Sequence, residues 1–372
     1  MRKFWRNPLV YKEWKSVRWI TLLMTLNLLL FKVLQITSRL SYIKERRLDN
    51  MYDQQVFNEQ TKYWFNSILL RQWDDGILYF IGMCICIILL VIFLFKSERE
   101  NATYGFLASM PFKREEMIDV KWSIGVLSIA ISFFITFIFL SIFYITNIEW
   151  IQTPYNPYII IPEWTIINMM LCIAIFSFLL FIQTLIGKNI VGGVVGSLVL
   201  VAPMGAVMIV GQIISNQFNL EYGNPLIEGF EKLSSKLDIF RIIKTNDALI
   251  DITNSTGFHF SYDYYGSYQP YMYNSYFLKI VITVVFTVIF YLLAMYAYKR
   301  NALENNGNLI LFSKLEPVFK WGVSICLGLL LSAVFGMGYT DSIMVMDIFL
   351  VLGIIVGYFV SNKAIKICNN SK

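Results

Sequence analysis

Eight apolar runs, each about twenty residues long, recur along this chain, separated by polar segments of very unequal length. They fall at roughly Trp19–Ser38, Ile77–Phe95, Ser123–Thr146, Trp164–Gly187, Ile190–Ile214, Phe277–Tyr298, Trp321–Gly338 and Met344–Ser361. A helix of twenty residues is about 30 Å long, the thickness of a bilayer's hydrocarbon layer. In that layer the backbone must satisfy its own hydrogen bonds, and a helix does so within one segment. Composition agrees, with 57% of residues hydrophobic and 15% charged, where soluble domains carry about a quarter charged. The expected fold is an all-α polytopic membrane protein of about eight transmembrane helices.

The net charge of +6 does not point to nucleic acid. Lys and Arg lie between the runs and form no single basic stripe. Of the five cysteines, Cys84, Cys86, Cys172 and Cys326 sit in apolar runs and Cys368 in the tail. That pattern suits buried thiols better than an extracytoplasmic disulfide framework. The basic, then apolar start has the form of a signal sequence. Its apolar run is long and no small-x-small site follows, so it is expected to remain as the first span.

Basic residues close to span ends set orientation. Arg2, Lys3, Arg6, Lys12, Lys15 and Arg18 precede the first span, and Lys96, Arg99, Lys113, Arg114, Lys121, Lys188, Lys299, Arg300, Lys314 and Lys320 lie on the same side of the expected topology. The short segments 147–163 and 339–343 on the other side contain none. Both termini are therefore expected in the cytoplasm of a multi-pass plasma-membrane protein. Two long segments, 39–76 and 215–276, are expected outside; the first could lie along the outer surface. The second opens with amphipathic "NPLIEGFEKLSSKLDIFRIIKTNDALIDIT" and continues into a stretch with Tyr262, Tyr264, Tyr265, Tyr268, Tyr271, Tyr273 and Tyr276, read as an interfacial aromatic belt. Lys32, in the outer half of the first span, is expected to snorkel toward the headgroups.

Several chemistries are missing. The one histidine, His259, cannot build an HExxH pair. No GxxxxGK[ST] loop exists to cradle ATP phosphates, and no G-x-S-x-G elbow stands out. No catalytic, metal or cofactor-binding residue is assigned. Within the spans the polar groups are Asn27, Asn168 and Gln183, expected to hydrogen-bond between helices, and acids are nearly absent, with Asp347 near the outer end of the last run. A proton- or ion-coupled carrier would need ionisable groups near the midplane. The chain is built like a transporter and carries no visible energy source.

The stretch "SERENATYGFLASMPFKREEMIDVKW" (97–122) concentrates charge between the second and third runs. Ser97-x-x-Glu100 has the form of a capping box. A helix after it would align Tyr104, Leu107 and Ala108. Pro111 would break that helix and open another, with Glu115 and Glu116 suited to its positive end. This elbow could fit a groove on a cytosolic partner or rest on lipid headgroups; the pattern leaves both open.

"ERENATYGFLASMPFKREEMIDVK" resembles the cytoplasmic motif of ABC-2-type transporter permeases, E-R-E-x-G-T…L…P-x-S-R-x-E…K, at Glu98, Arg99, Glu100, Thr103, Leu107, Pro111, Arg114, Glu116 and Lys121. Ala102 replaces the usual Gly and Lys113 a common Ser. "NPLVYKEWKSVRW" is similar to the family's amphipathic N-terminal segment, and "YKRNALENNGNLILFSKLEPVFKWGV" resembles larger Ytr-like, acetoin-utilisation-type and peptide-antibiotic permeases.

The resemblance implies a coupling helix between spans two and three that docks on a separate ATP-binding subunit, with Lys188 in the Gly187-Lys188-Asn189 turn as a second contact. It further implies two ATPase copies, ATP and Mg bound only there, and a second permease, identical or paralogous. The expected organisation is a cytoplasmic amphipathic segment 1–18, a six-span core 19–298, a linker 299–320 and a two-span hairpin with tail 321–372. The expected activity is ATP-driven export of a hydrophobic or amphipathic substrate such as a peptide antibiotic, lipid-like molecule or drug. The alternative is a sensory or resistance module that detects or extracts an antimicrobial without translocating it.

Overall fold

The structure, a computed structural model, describes residues 8–48, 61–70, 77–100, 113–220, 223–245, 272–301, 309–337 and 343–370. Its main helices are α1 Pro8–Leu28, α2 Leu34–Leu48, α3 Trp64–Leu70, α4 Ile77–Glu100, α5 Arg114–Thr146, α6 Ile160–Leu185, α7 Asn189–Gln217, α8 Pro225–Leu237, α9 Tyr276–Arg300, α10 Glu316–Leu331 and α11 Ile343–Asn370. Eight helices among the described residues are long and apolar enough to cross a membrane. The protein is an all-α polytopic membrane protein.

The N-terminal amphipathic stretch and the first span are one helix. Pro8 occupies its first position, where the missing N–H costs nothing, and no breaker follows. A π-helical turn at Leu29–Val33 then joins α1 to α2, so the rod continues to Leu48. Likewise α4 runs without interruption to Glu100. Ser97–Glu100 is therefore the end of a helix, and the capping-box reading of it is corrected: no breaker separates the apolar run from these helix-forming residues.

The chain divides into two compact units. The first comprises residues up to Leu90, Ser123–Ile175 and Ile242–Thr287. Its interior is organised by neutral polar side chains that hydrogen-bond between helices, as buried polar groups mostly do. Asn27 donates to the Tyr79 carbonyl at 2.8 Å, the Tyr79 hydroxyl donates to Asn168 Oδ1 at 2.9 Å, and Asn168 donates to the Trp164 carbonyl at 2.8 Å. Gly82 gives Asn27 its room, since a Cβ there would lie 2.1 Å from Asn27 Oδ1. Asn27 and Asn168 thus link helices as expected.

Lys32 departs from its expected role. It is fully buried, donating to the carbonyls of Ile68 at 3.2 Å and Leu69 at 3.3 Å. Its ammonium also lies 4.5 Å from the Tyr79 ring centroid. The π-turn offsets the helical register at this position, and the cation lies at the carbonyl end of α3, where the helix dipole favours it. Residues 61–70 are also better buried than a surface segment would be. Trp64 Nε1 donates to the Trp150 carbonyl at 3.1 Å and the Asn66 amide to Asn156 Oδ1 at 3.0 Å.

The second unit comprises Val91–Trp122, Phe176–Arg241 and Val288–Lys372. In it α10 and α11 form a close hairpin. A Cβ on Gly353 would meet Gly328 Cα at 2.6 Å, and one on Gly357 would meet Ser324 Cα at 2.7 Å. Small residues that let backbones approach are the usual basis of helix pairing in lipid. Ser332 closes the hairpin with a bond to the Met346 carbonyl at 3.1 Å.

Candidate functional site

The start of α5 gathers the charge. Lys113 precedes the helix, and its amide donates to Glu116 Oε2 at 3.4 Å. Glu115 and Glu116 fill the first turn, where acids complement the N-terminal partial positive charge. Lys113 and Glu116 are exposed, while Arg114 and Glu115 are half-buried.

Those two turn toward the end of α9. Arg114 Nη1 donates to the Asn301 carbonyl at 2.6 Å and reaches the Lys299 carbonyl at 3.5 Å. Glu115 Oε1 accepts from Lys299 Nζ at 2.5 Å. A guanidinium on the terminal carbonyls of a helix satisfies groups that have no intrahelical partner. The ion pair beside it is largely exposed and adds little.

About two turns further in, Lys121 is fully buried. Its ammonium donates to the Leu94 carbonyl of α4 and lies 5.1 Å from the Phe95 ring centroid. Asp119, on the same helix, accepts from the Tyr291 hydroxyl at 2.7 Å. Trp122 packs on the Tyr291 ring with centroids 4.6 Å apart and donates to Ser177 Oγ at 2.9 Å. The first two turns of α5 are thereby fastened to α4, α6 and α9.

The α6–α7 turn is held by a different device. Ile186 forms an isolated antiparallel bridge with Ile310; Gly187 donates to the Leu309 carbonyl at 3.1 Å and Leu311 to the Leu185 carbonyl at 3.0 Å. Leu309 and Ile310 bury themselves with Ile365 of α11. Gln183 Nε2 spans the turn to Asn189 Oδ1 at 2.8 Å. Gly192 accommodates Gln183, since a Cβ there would meet Gln183 Oε1 at 2.1 Å. Lys188 is half-buried in the turn.

A family model described as ABC-2 family transporter protein matches residues 9–303. The chain belongs to the ABC-2 transporter family. No curated protein and no solved structure gives a significant match. Membership makes the protein a permease component of an ABC transporter, a membrane transport subunit that is not itself the ATPase and that partners with an ABC ATP-binding subunit.

The sequence-derived coupling residues of this ABC-2 permease fall in three groups. Glu98, Arg99 and Glu100 form the last turn of α4. Thr103, Leu107 and Pro111 lie outside the described residues. Arg114, Glu116, Lys121 and Lys188 are described, and of these Glu116 is exposed and Lys121 fully buried. The acids and bases at 113–116 were visible as a helix start. Their fastening to Lys299 and Asn301 was not, because the sequence separation is 184 residues and more. Asp119 was also missed. Its hydrophobic neighbours at Ile118 and Val120 were the available signal that this turn lies inside a bundle.

Proposed function

We propose that the protein is the membrane subunit of an ATP-driven exporter, and that residues 98–116 apart from Arg114, together with Lys188, form the surface on which its ATPase docks. What carries the reading is the family match combined with the exposed, acid- and base-rich start of α5. Lys121 acts in this scheme as a buried pin and not as a contact. Both termini and the 187–188 turn would then be cytoplasmic, in accord with the basic residues beside the spans. Two ATPases and a second permease, identical or paralogous, would complete the assembly. Closure of the ATPase dimer pushes the start of α5; because Arg114, Asp119 and Lys121 bind α9 and α4, the push reaches those helices as one body.

A hydrophobic or amphipathic cargo suits the chain, whose spans offer neutral polar groups and aromatic rings. A peptide antibiotic or lipid-like drug belongs to that class, and resistance to it would be the cellular outcome.

The test is co-purification in mild detergent with the ABC ATPase partner. Replacing Leu107 with Glu should abolish co-purification and stimulated ATP turnover, while leaving the thermal unfolding of the permease within a few degrees of the parent. A variant that still binds its ATPase and stimulates turnover like the parent would remove the docking assignment.

A further inference from the structure

A cleft of about 580 Å³ opens between the C-terminal part of α7 and the amphipathic helix α8. That is within the usual range of small-ligand sites. The cleft exists because α8 rests on a bare spot of α7: a Cβ on Gly211 would lie 2.9 Å from Phe230 Cβ. Asn224 caps α8 through a bond from the Leu226 amide at 3.0 Å, with Pro225 in the first turn. The covering helix is therefore a defined element.

The α7 wall is polar where the helix passes the end of its apolar run. Gln212, Ser215 and Asn216 share one face of α7, Asn219 follows in the turn after the helix, and all four line the cleft. Ser215 Oγ donates to the Leu220 carbonyl at 3.2 Å, and Asn216 Nδ2 donates to Met346 Sδ at 3.6 Å. Those bonds use the Ser215 hydroxyl and one N–H of Asn216, so the wall offers amide oxygens, which can accept from a cation, beside amide N–H groups. The opposite wall contributes the Glu231 carboxylate. Lys232, next to Glu231 on α8, is paired with Glu228 at 3.0 Å, and no Lys or Arg is among the described residues that line the cleft. Met208 and the Phe230 side chain supply the apolar end.

A site whose described lining has one carboxylate, several amides and no cation disfavours a phosphate or carboxylate and suits a donor-rich cation, which the carboxylate attracts and the amide oxygens can accept from. The adjoining apolar wall adds about 25 cal/mol for each Å² of hydrocarbon it covers. We propose that this cleft binds a cationic amphiphile, the head pairing with Glu231 and donating to the α7 amides, the tail lying along Met208 and Phe230. The inference rests on the amphipathic cargo class given above and narrows it to amphiphiles of positive charge.

The experiment uses the full-length permease, without ATPase, in phosphatidylcholine nanodiscs. The probe is a fluorescent dodecylammonium, with the matching dodecanoate as competitor. Saturable binding is expected. It should weaken about ten-fold in Glu231→Gln, the factor for about 1.4 kcal/mol. Glu231→Asp should stay close to the parent, Gln212→Trp should lose binding by filling the cleft, and dodecanoate should not compete. Non-saturable partition that is equal in the parent and all variants, or equal competition by dodecanoate, overturns the proposal. The ATPase pull-down with Leu107→Glu is read separately. A parent that fails to bind the probe saturably while Leu107→Glu loses its ATPase thus condemns the cleft alone, and saturable, Glu231-dependent binding beside a Leu107→Glu that keeps its ATPase condemns the docking surface alone.

Discussion

Arg114 donates to the backbone carbonyl of Asn301 at 2.6 Å, so the first residue of α5 finishes the end of α9. A residue that the sequence assigns to partner contact is thus engaged within its own chain. Its replacement tests transmission more directly than docking. Arg114→Ala should leave the ATPase bound and lower stimulated turnover about five-fold, the effect of about 1 kcal/mol of lost coupling. Arg114→Lys should recover part of it, since a single ammonium can reach one carbonyl but not fork between two. Pull-down and turnover measured on the same preparations check this; loss of both together in Arg114→Ala would return the residue to the docking surface.

Lys32 gives a second test. Replacing it with Met keeps the length and removes the donor to Ile68 and Leu69. The carbonyls left without it should cost about 1–3 kcal/mol, read as a lower midpoint in thermal unfolding of the detergent-purified protein. If the ammonium instead reached the headgroups, Lys32→Met would be neutral or stabilising.

Much of the fold was legible because hydropathy alone requires helices where backbone groups cannot find water. All eight apolar runs reappear as helices long enough to span, with ends displaced by several residues where polar helix formers continue the rod, as at Lys96–Glu100. The site was less legible. Glu115 and Glu116 announce a helix start from composition alone, whereas Arg114 with Asn301 and Ile186 with Ile310 join residues more than a hundred positions apart. Lys32 was misplaced for a similar reason. Its environment is made by α3, which lies more than thirty residues downstream, and by a π-turn that has no reliable sequence signature. The polar row from Gln212 to Asn219 was readable as a pattern, yet only the folding of α8 over it makes a cleft.

The Glu115–Lys299 pair should be weak. Lys299 is well exposed and Glu115 partly so, and salt screens such a pair. Glu115→Gln should shift the thermal midpoint by no more than a degree or two and should shift it less at high salt. A larger, salt-independent loss would mean that the pair is buried in the assembled transporter.

The α10–α11 hairpin offers the sharpest contrast between neighbouring positions of one residue type. Gly353 faces Gly328 so closely that any side chain must separate the helices, whereas a Cβ on Gly322 meets nothing within 4 Å. In lipid, where apolar surface gains little from leaving its solvent, helix pairing depends on such close approach. Gly353→Leu should therefore open the hairpin, lowering the thermal midpoint by several degrees and weakening a disulfide engineered between Ser332→Cys and Met346→Cys, positions already joined by a hydrogen bond. Gly322→Ala should do neither and can raise stability slightly, because alanine is the better helix former by about 1 kcal/mol. Equal behaviour of the two variants would show that the helices are not held by the glycine contact.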